Sequence, residues 1–235
     1  MRAKPIVLDA IPFSLDRAEL ASRLGMPDAG PLDPDLEALI QRAEKVARPK
    51  AVFTVSFIDE RTDGQTVIDG IRFESRVLQV NLDPIHRVFP HVVSCGTEIQ
   101  QWSEGISDPV ESFWADAIKE LALRSAVEHF QAHVRAAYAL GRVSHMNPGS
   151  LPDWPLPQQR PLFQLLGEVE ALIGVRLTES FLMLPTKSIS GILFPAETSF
   201  ESCELCPREV CPGRRAPYDP TLYERRYGAK AAHGP

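Results

Sequence analysis

The stretch from Val110 to Leu140 contains neither glycine nor proline, and it constrains the fold more than any other part of the chain. Asp108 and Pro109 precede it, and this pair is a typical helix start, because aspartate caps free N–H groups and proline fits the first turn. Along one face lie the apolar residues Val110, Phe113, Trp114, Ala117, Leu121, Ala126, Phe130, Val134 and Ala137. We therefore predict one long helix, closed by Gly141, that packs against a second layer.

The other segments mix helical and extended patterns. Asp33 and Pro34 repeat the cap-plus-proline start of a helix. A further helical stretch runs from Pro157 to Ile173 and is interrupted by Gly167. Segments predicted as strands are 5–9, 51–58, 66–68, 175–177, 181–184 and 188–194, whereas 77–82 and 91–94 are apolar without helical periodicity. The pattern predicts an α+β fold with a mostly antiparallel sheet, and a loose tail after about Tyr218.

Composition limits the class of partner. The 235 residues include 25 Lys and Arg against 31 Asp and Glu, which gives a net charge of −6. With 44% hydrophobic and 24% charged residues, a packed core is expected. Nucleic acids and anionic membranes attract concentrated positive charge, so neither is an expected partner. The basic start has too few apolar residues before Asp9 for a signal peptide, and we expect a cytoplasmic protein.

Three of the four cysteines lie close together near the end of the chain, as Cys203, Cys206 and Cys211. Clustering favours a metal over a disulfide framework, because the C-x-x-C turn lets two thiolates face one ion. We predict a metal site here, with redox-reactive thiols and incidental cysteines as the alternatives. A proline after Cys206 suits both an iron–sulfur cluster and a zinc knuckle, so spacing does not separate these two.

A closed tetrahedral site needs a fourth ligand. Cys95 is the only further thiolate that the chain offers, and His145 or His91 are the alternatives. An iron–sulfur cluster with one open iron needs none of them. Cys95 is the fourth ligand that we predict.

Residues 142–156 are rich in proline, glycine, asparagine and serine and lie between two periodic segments, where ligand sites are common. Three sequence elements from this loop onward, Asn147-Pro-Gly-Ser, Leu177-Thr-Glu-Ser-Phe and Ser188-Ile-Ser-Gly, resemble the activation domain of cobalamin-dependent methionine synthase. The resemblance is closest over residues 145–194 and looser over 50–200. The chain resembles free-standing members of this family, in which the activation domain occurs without the substrate-binding and cobalamin-binding modules.

The resemblance implies a single C-shaped α+β domain with a twisted, mostly antiparallel sheet and long helices. Residues 1–200 would form this domain, and residues 201–235 an added cysteine-rich metal-binding segment with a loose tail. Domains of the family bind S-adenosylmethionine and remethylate the cobalt of an inactivated cobalamin after one-electron reduction. The cobalamin would here be carried by a separate corrinoid protein or methyltransferase.

The family's S-adenosylmethionine loop has the pattern Arg-x-x-x-Gly-Tyr, which falls here on His145, Asn147, Gly149 and Ser150. Gly149 fits the pattern, whereas His145 replaces the arginine that meets the ligand carboxylate and Ser150 replaces the tyrosine. A cationic His145 could still pair with a carboxylate, but more weakly than a guanidinium. Glu128 falls where the family has a carboxylate that faces the ligand.

The family resemblance and the cysteine segment together imply two main functional hypotheses. In the first, the protein is an accessory to corrinoid-dependent methyl transfer, and its cysteine segment supplies a low-potential cluster. In the second, it is a non-enzymatic interaction module with an eroded ligand loop and a structural zinc. A third, weaker hypothesis is that the loop binds a different small anion.

Overall fold

A computed structural model describes residues 3–26, 32–196, 200–211 and 213–228. The described strands are β1 Ile6–Leu8, β2 Lys50–Phe53, β3 Ser56–Thr62, β4 Gln65–Ile68, β5 Ile71–Glu74, β6 Arg87–Ser94, β7 Val143–Met146, β8 Arg176–Leu177, β9 Met183–Leu184 and β10 Ser188–Pro195. The α-helices are α1 Arg17–Arg23, α2 Pro34–Val46, α3 Arg76–Asn81, α4 Thr97–Glu104, α5 Pro109–Ala137, α6 Gln159–Leu166 and α7 Val169–Ile173. Short 3₁₀ turns cover Leu156–Gln158 and Ser202–Leu205, and a π-helical turn covers Tyr223–Tyr227.

Strand β6 is the centre of an eight-stranded sheet in which every pairing is antiparallel. On one side of β6 lie β10 and then β7. On its other side, β2 pairs with the second half of β6 and β1 pairs with β2, while β3 pairs with the first half of β6 and is followed by β4 and β5. Strands β8 and β9 form a separate small ladder. The predicted α+β class with a mostly antiparallel sheet is confirmed.

Helix α5 has 29 residues and confirms the predicted long helix. Its cap is the predicted one, since the Asp108 side chain accepts hydrogen bonds from the N–H groups of Val110 and Glu111. The cap of α2 is also as predicted, with Asp33 accepting from Asp35. Gly167 separates α6 from α7, in agreement with the predicted interruption.

The core has three clusters of buried side chains. One lies between one face of the sheet and α3, α6 and α7, and the second lies between the opposite face and α5. Successive strand residues point to opposite faces, so Val92 belongs to the first and Val93 to the second. A third cluster joins α1, α2, α4 and the start of α5.

Three sequence predictions differ from the structure. The run 51–58 is not one strand but the separate strands β2 and β3, which pair with different halves of β6. The segment 77–82, apolar without helical periodicity, lies largely within helix α3, whose first turn is capped by Ser75. The described part of the predicted loose tail is packed, because Leu222 and Tyr227 are buried in the first cluster. Residues 229–235 lie outside the described part.

Candidate functional site

The predicted ligand loop follows edge strand β7 and is held by its own hydrogen bonds. The Asn147 side-chain amide donates to the Ser190 carbonyl over 2.8 Å, which fixes the loop to β10. The Ser150 hydroxyl and backbone N–H both donate to the Asn147 carbonyl. The Gly149 N–H donates to the Trp154 carbonyl over 2.7 Å. The amides of Gly149 and Ser150 are thus used within the loop.

Gly149 occupies a conformation that other residues rarely adopt, with φ at 85°. A Cβ at this position would also lie 2.8 Å from Cδ1 of Leu156. The sequence pattern predicts close approach of this glycine to a ligand, but the space beside it is taken up by Leu156 of the same loop. The glycine therefore serves the shape of the loop.

His145 lies on β7 opposite Leu193, and both face the α5 side of the sheet. Burial lowers the pKa of His145 to about 3, with further lowering by the nearby charges of Arg215 and His91. The imidazole is therefore neutral at neutral pH. The cationic state considered for His145 does not fit this environment, because burial and a neighbouring guanidinium both oppose a second positive charge.

Arg215 is the cation whose charge acts on His145, and the sequence pattern did not identify it. Its Nε lies 2.9 Å from Oε2 of Glu201, and about half of its side chain stays exposed. Arg215 stands far from His145 in sequence, so only the fold brings its charge within electrostatic reach of the imidazole. The one sequence signal for Arg215 is the pair of arginines, Arg214 and Arg215, that follows the cysteines.

Asp153 anchors the loop from the other side. Its carboxylate accepts hydrogen bonds from the Ser75 hydroxyl, from the Val77 N–H at the start of α3 over 2.9 Å, and from the Tyr223 hydroxyl over 3.4 Å. Trp154 beside it is fully buried and meets Phe73 edge-on. The loop therefore connects α3 to the C-terminal segment through Asp153.

Glu128 lies exposed on α5. Within the part of the chain that the structure describes, no hydrogen bond or ion pair joins it to residues 145–150. Its role as a ligand contact stays a prediction.

The cysteine segment forms two linked turns. Cys206 N–H donates to the Cys203 carbonyl over 3.2 Å, and Arg214 N–H donates to the Cys211 carbonyl over 3.1 Å. All three thiols are half-buried and free of disulfides. Among the described residues, no three His, Cys, Asp or Glu side chains are grouped as a metal site. The metal site stays a prediction, and Pro212 lies outside the described residues.

Cys95 belongs to a different part of the molecule. It is buried in the cluster of α2, α4 and the start of α5, whereas Phe200 and Leu205 of the cysteine segment pack in the cluster of α3, α6 and α7. Burial raises the pKa of the Cys95 thiol to about 12, which opposes the thiolate that a metal requires. The structure does not bring Cys95 to the other cysteines as a fourth ligand.

Sequence comparison places a known family pattern on the loop. Residues 147–202 match the family model described as vitamin B12 dependent methionine synthase, activation domain. The matched region holds the loop from Asn147, helices α6 and α7 and strands β8 to β10, and ends just before Cys203. No curated protein matches the chain.

The fold resembles that of a solved structure, the MetH reactivation domain bound to AdoHcy, with a TM-score of 0.62. The match covers 86% of this chain and 82% of that chain at 18% identity. The resemblance inferred from the loop and strand motifs is confirmed at the level of this pattern and fold. Of the helices in the described residues, none has the length and apolar character needed to cross a membrane.

Proposed function

We propose that this protein binds an S-adenosyl ligand and acts in the reactivation of a cobalamin enzyme. The proposal rests on a loop that carries the activation-domain pattern and on a fold shared with a MetH reactivation domain. The observation that carries the proposal is the match over residues 147–202, because it includes the loop itself. The AdoHcy held by the structural neighbour indicates the chemical class of the ligand.

The amino-acid end of such a ligand is a zwitterion, with an α-carboxylate and an α-ammonium group. His145 is neutral and offers the carboxylate no charge, so another cation is needed. Arg215, whose charge acts on His145, is paired with Glu201, so the two residues carry both complementary charges. We assign Arg215 to the ligand carboxylate and Glu201 to the ammonium, with His145 as a neutral neighbour. Asn147, Gly149 and Ser150 would shape the opposite wall, and Glu128 remains a candidate contact.

In the proposed reaction the methyl group leaves the sulfonium sulfur of S-adenosylmethionine. The electron pair of the broken C–S bond stays on sulfur, which yields S-adenosylhomocysteine. The new bond takes its electron pair from the cobalt of the partner's cobalamin, after a one-electron donor has reduced that cobalt. The partner is a separate corrinoid protein or methyltransferase, and this chain supplies the ligand loop and the surface around it.

One observation favours a second function. The amides of Gly149 and Ser150 are bonded inside the loop, which leaves these two donors unavailable to a ligand. This fits a non-enzymatic interaction module whose ligand site has eroded and whose cysteines hold a structural zinc. Absence of ligand binding together with one zinc per chain would support the module.

Calorimetric titration of the whole protein with S-adenosylhomocysteine and S-adenosylmethionine tests the first function. We expect binding that weakens at least about tenfold in Arg215→Gln, because a charge-assisted pair contributes about 1.5–3 kcal/mol. Arg225→Gln is the matched control, since Arg225 is also exposed and pairs with Asp219 over 3.0 Å. No binding of either ligand to the wild-type protein would refute the proposal.

A second pair of variants tests the loop. Gly149→Ala should abolish binding, because its Cβ meets Leu156 and its φ is strained. Gly167→Ala has the same kind of φ, 81°, but open space around it and no place in the loop, so its binding should match wild type. Equal ligand affinities of the two variants would show that Gly149 does not contribute to the ligand site. Remethylation of an inactivated cobalamin enzyme, followed by visible absorption, then tests the reaction itself.

A further inference from the structure

A groove runs between helix α4 and the small ladder of β8 and β9. Its volume is about 280 Å³, and its walls are α4 on one side and the end of α7 with the ladder on the other. Among the described residues that line this groove, none belongs to positions 145–150, and neither Glu201 nor Arg215 is included. A ligand in the groove therefore occupies a site separate from the candidate functional site.

The α4 wall of the groove is polar. Four of its residues share one face of the helix because they follow the spacing of successive turns, namely Thr97, Gln100, Gln101 and Glu104. Gly174, at the end of α7, has φ at 75°, and a Cβ there would lie 2.7 Å from Cγ2 of Thr97. The glycine thus lets the end of α7 approach the first turn of α4 closely.

Glu104 is held in a fixed position on the α4 wall. Its Oε1 accepts a hydrogen bond from Nε2 of Gln100 over 3.0 Å, and Oε1 of Gln100 accepts from Nζ of Lys119 over 3.3 Å. Lys119 is only 7% exposed, so this chain of bonds begins in the packed interior. Among the ion pairs of the described residues, none includes Glu104. Its carboxylate is therefore positioned but has no cationic partner.

The opposite wall supplies one cation and a second carboxylate. Arg176 of β8 and Leu184 of β9 are paired across the ladder, which puts both side chains on the same face. Nε of Arg176 lies 4.0 Å from Oε1 of Glu170, at the outer limit of an ion pair, and more than half of each side chain is exposed. Such a pair contributes little by itself. With Glu104, the groove carries one positive and two negative side chains, a net charge of −1.

We propose that this groove binds a basic α-amino acid, a ligand with one carboxylate and two cationic nitrogen atoms. The α-carboxylate pairs with Arg176 and the α-ammonium with Glu170, because these two ligand charges are neighbours, as are the two side chains. The methylene chain lies along Leu184 and the buried Pro185, and the distal cation pairs with Glu104. A ligand of net charge +1 then matches every charge of the groove.

The size and charge of the groove argue against other small ligands. Small-molecule sites usually exceed about 300 Å³, so this groove suits a free amino acid better than a nucleotide. Two carboxylates on the walls also repel phosphate. An α-amino acid with an apolar side chain leaves Glu104 without a cation, and a diamine leaves Arg176 without an anion. A basic amino acid is the class that uses all three charged side chains.

NMR titration of the whole protein with L-lysine is the test, at constant pH and ionic strength. L-norleucine, which lacks the distal cation, and cadaverine, which lacks the carboxylate, are the matched probes. We expect lysine to bind with a Kd of about 1 mM, because the groove is open and the ligand is small. Norleucine and cadaverine should each bind at least about threefold more weakly, which is within the range of exposed charge pairs. Signals of Gly174 and Gln101 should shift, whereas those of Gly149 and Ser150 should not.

Two variants test the assignment of the charges. Arg176→Gln should remove the advantage of lysine over cadaverine, and Glu104→Gln should remove its advantage over norleucine. Arg72→Gln and Glu179→Gln are the matched controls, because both residues are exposed and neither is among the residues that line the groove. Both controls should keep the ligand preferences of the wild-type protein.

Wild-type protein that does not bind lysine, or binds it no better than norleucine and cadaverine, would overturn the proposal. Loss of the lysine preference in the two controls would overturn it as well, because the preference would then reflect the overall charge of the protein. Shifts confined to residues 147–150 would contradict a separate site. S-adenosyl ligands take no part in these titrations, so this proposal and the proposed function fail separately.

Discussion

Replacement of Asp153 tests whether the loop is ordered by contacts distant in sequence. In Asp153→Ala the buried Ser75 hydroxyl and the Val77 N–H at the start of α3 lose their acceptor. A hydrogen bond to a charged acceptor contributes about 1.5–3 kcal/mol, and the Tyr223 bond, at 3.4 Å, adds little. Because Asp153 is only half-buried, water recovers part of the loss. We expect a destabilisation of about 3 kcal/mol.

For a chain of this size, about 3 kcal/mol corresponds to a fall in Tm of about 6–12 °C in calorimetry. Hydrogen exchange should accelerate together in residues 147–158 and 223–227, which Asp153 joins. Asp63→Ala is the control, because Asp63 is paired with Arg76 of the same helix but is 95% exposed, and exposed pairs contribute little. A Tm for Asp153→Ala within about 1 °C of the Asp63→Ala value would refute the anchoring role.

Three further predictions concern the core. Burial lowers the folded pKa of His91 to about 4, below the ordinary 6.5, so stability is complete above pH 6.5 and falls as the pH drops toward 4. Between pH 7 and 4.5 the free energy of unfolding in urea should therefore fall by about 2–3 kcal/mol less in His91→Gln than in wild type. Gly96→Ala, whose Cβ would collide with a backbone carbonyl at a φ of 97°, should cost about 3 kcal/mol in thermal unfolding, against about 1 kcal/mol for Gly70→Ala, which has open space. Tyr227→Phe leaves the buried Asn81 side chain without its donor and should cost about 1–2 kcal/mol in urea unfolding; an unchanged midpoint would contradict the packed C-terminal turn.

Features set by neighbouring residues could be predicted from the sequence. The starts of α2 and α5 follow from an aspartate and a proline that act within one turn, and the break at Gly167 is equally local. Helix α3 could not be predicted in this way. It is short and buried on several sides, so its pattern has no period, and its Ser75 cap is held by Asp153 from a distant loop.

The candidate site shows the same division. The loop around Gly149 could be predicted, because its proline, glycine, asparagine and serine residues act locally. The protonation state of His145 depends on burial and on Arg215, and neither is visible in the residues around position 145. The position of Cys95 likewise depends on packing. Cys95 lies in the cluster of α2, α4 and the start of α5, whereas Phe200 and Leu205, the neighbours of the other cysteines, pack in the cluster of α3, α6 and α7.

The anchoring of the loop by residues 223–227 has a consequence for how the protein is made. Translation produces residues 147–158 well before Tyr223 and Tyr227, whose side chains contact Asp153 and Asn81. While the chain is still emerging from the ribosome, the sheet can assemble and Asp153 can already accept from Ser75 and Val77, but the contacts of Tyr223 and Tyr227 are still missing. The candidate ligand site is therefore finished last, after synthesis of the segment that also carries the cysteines and Arg215.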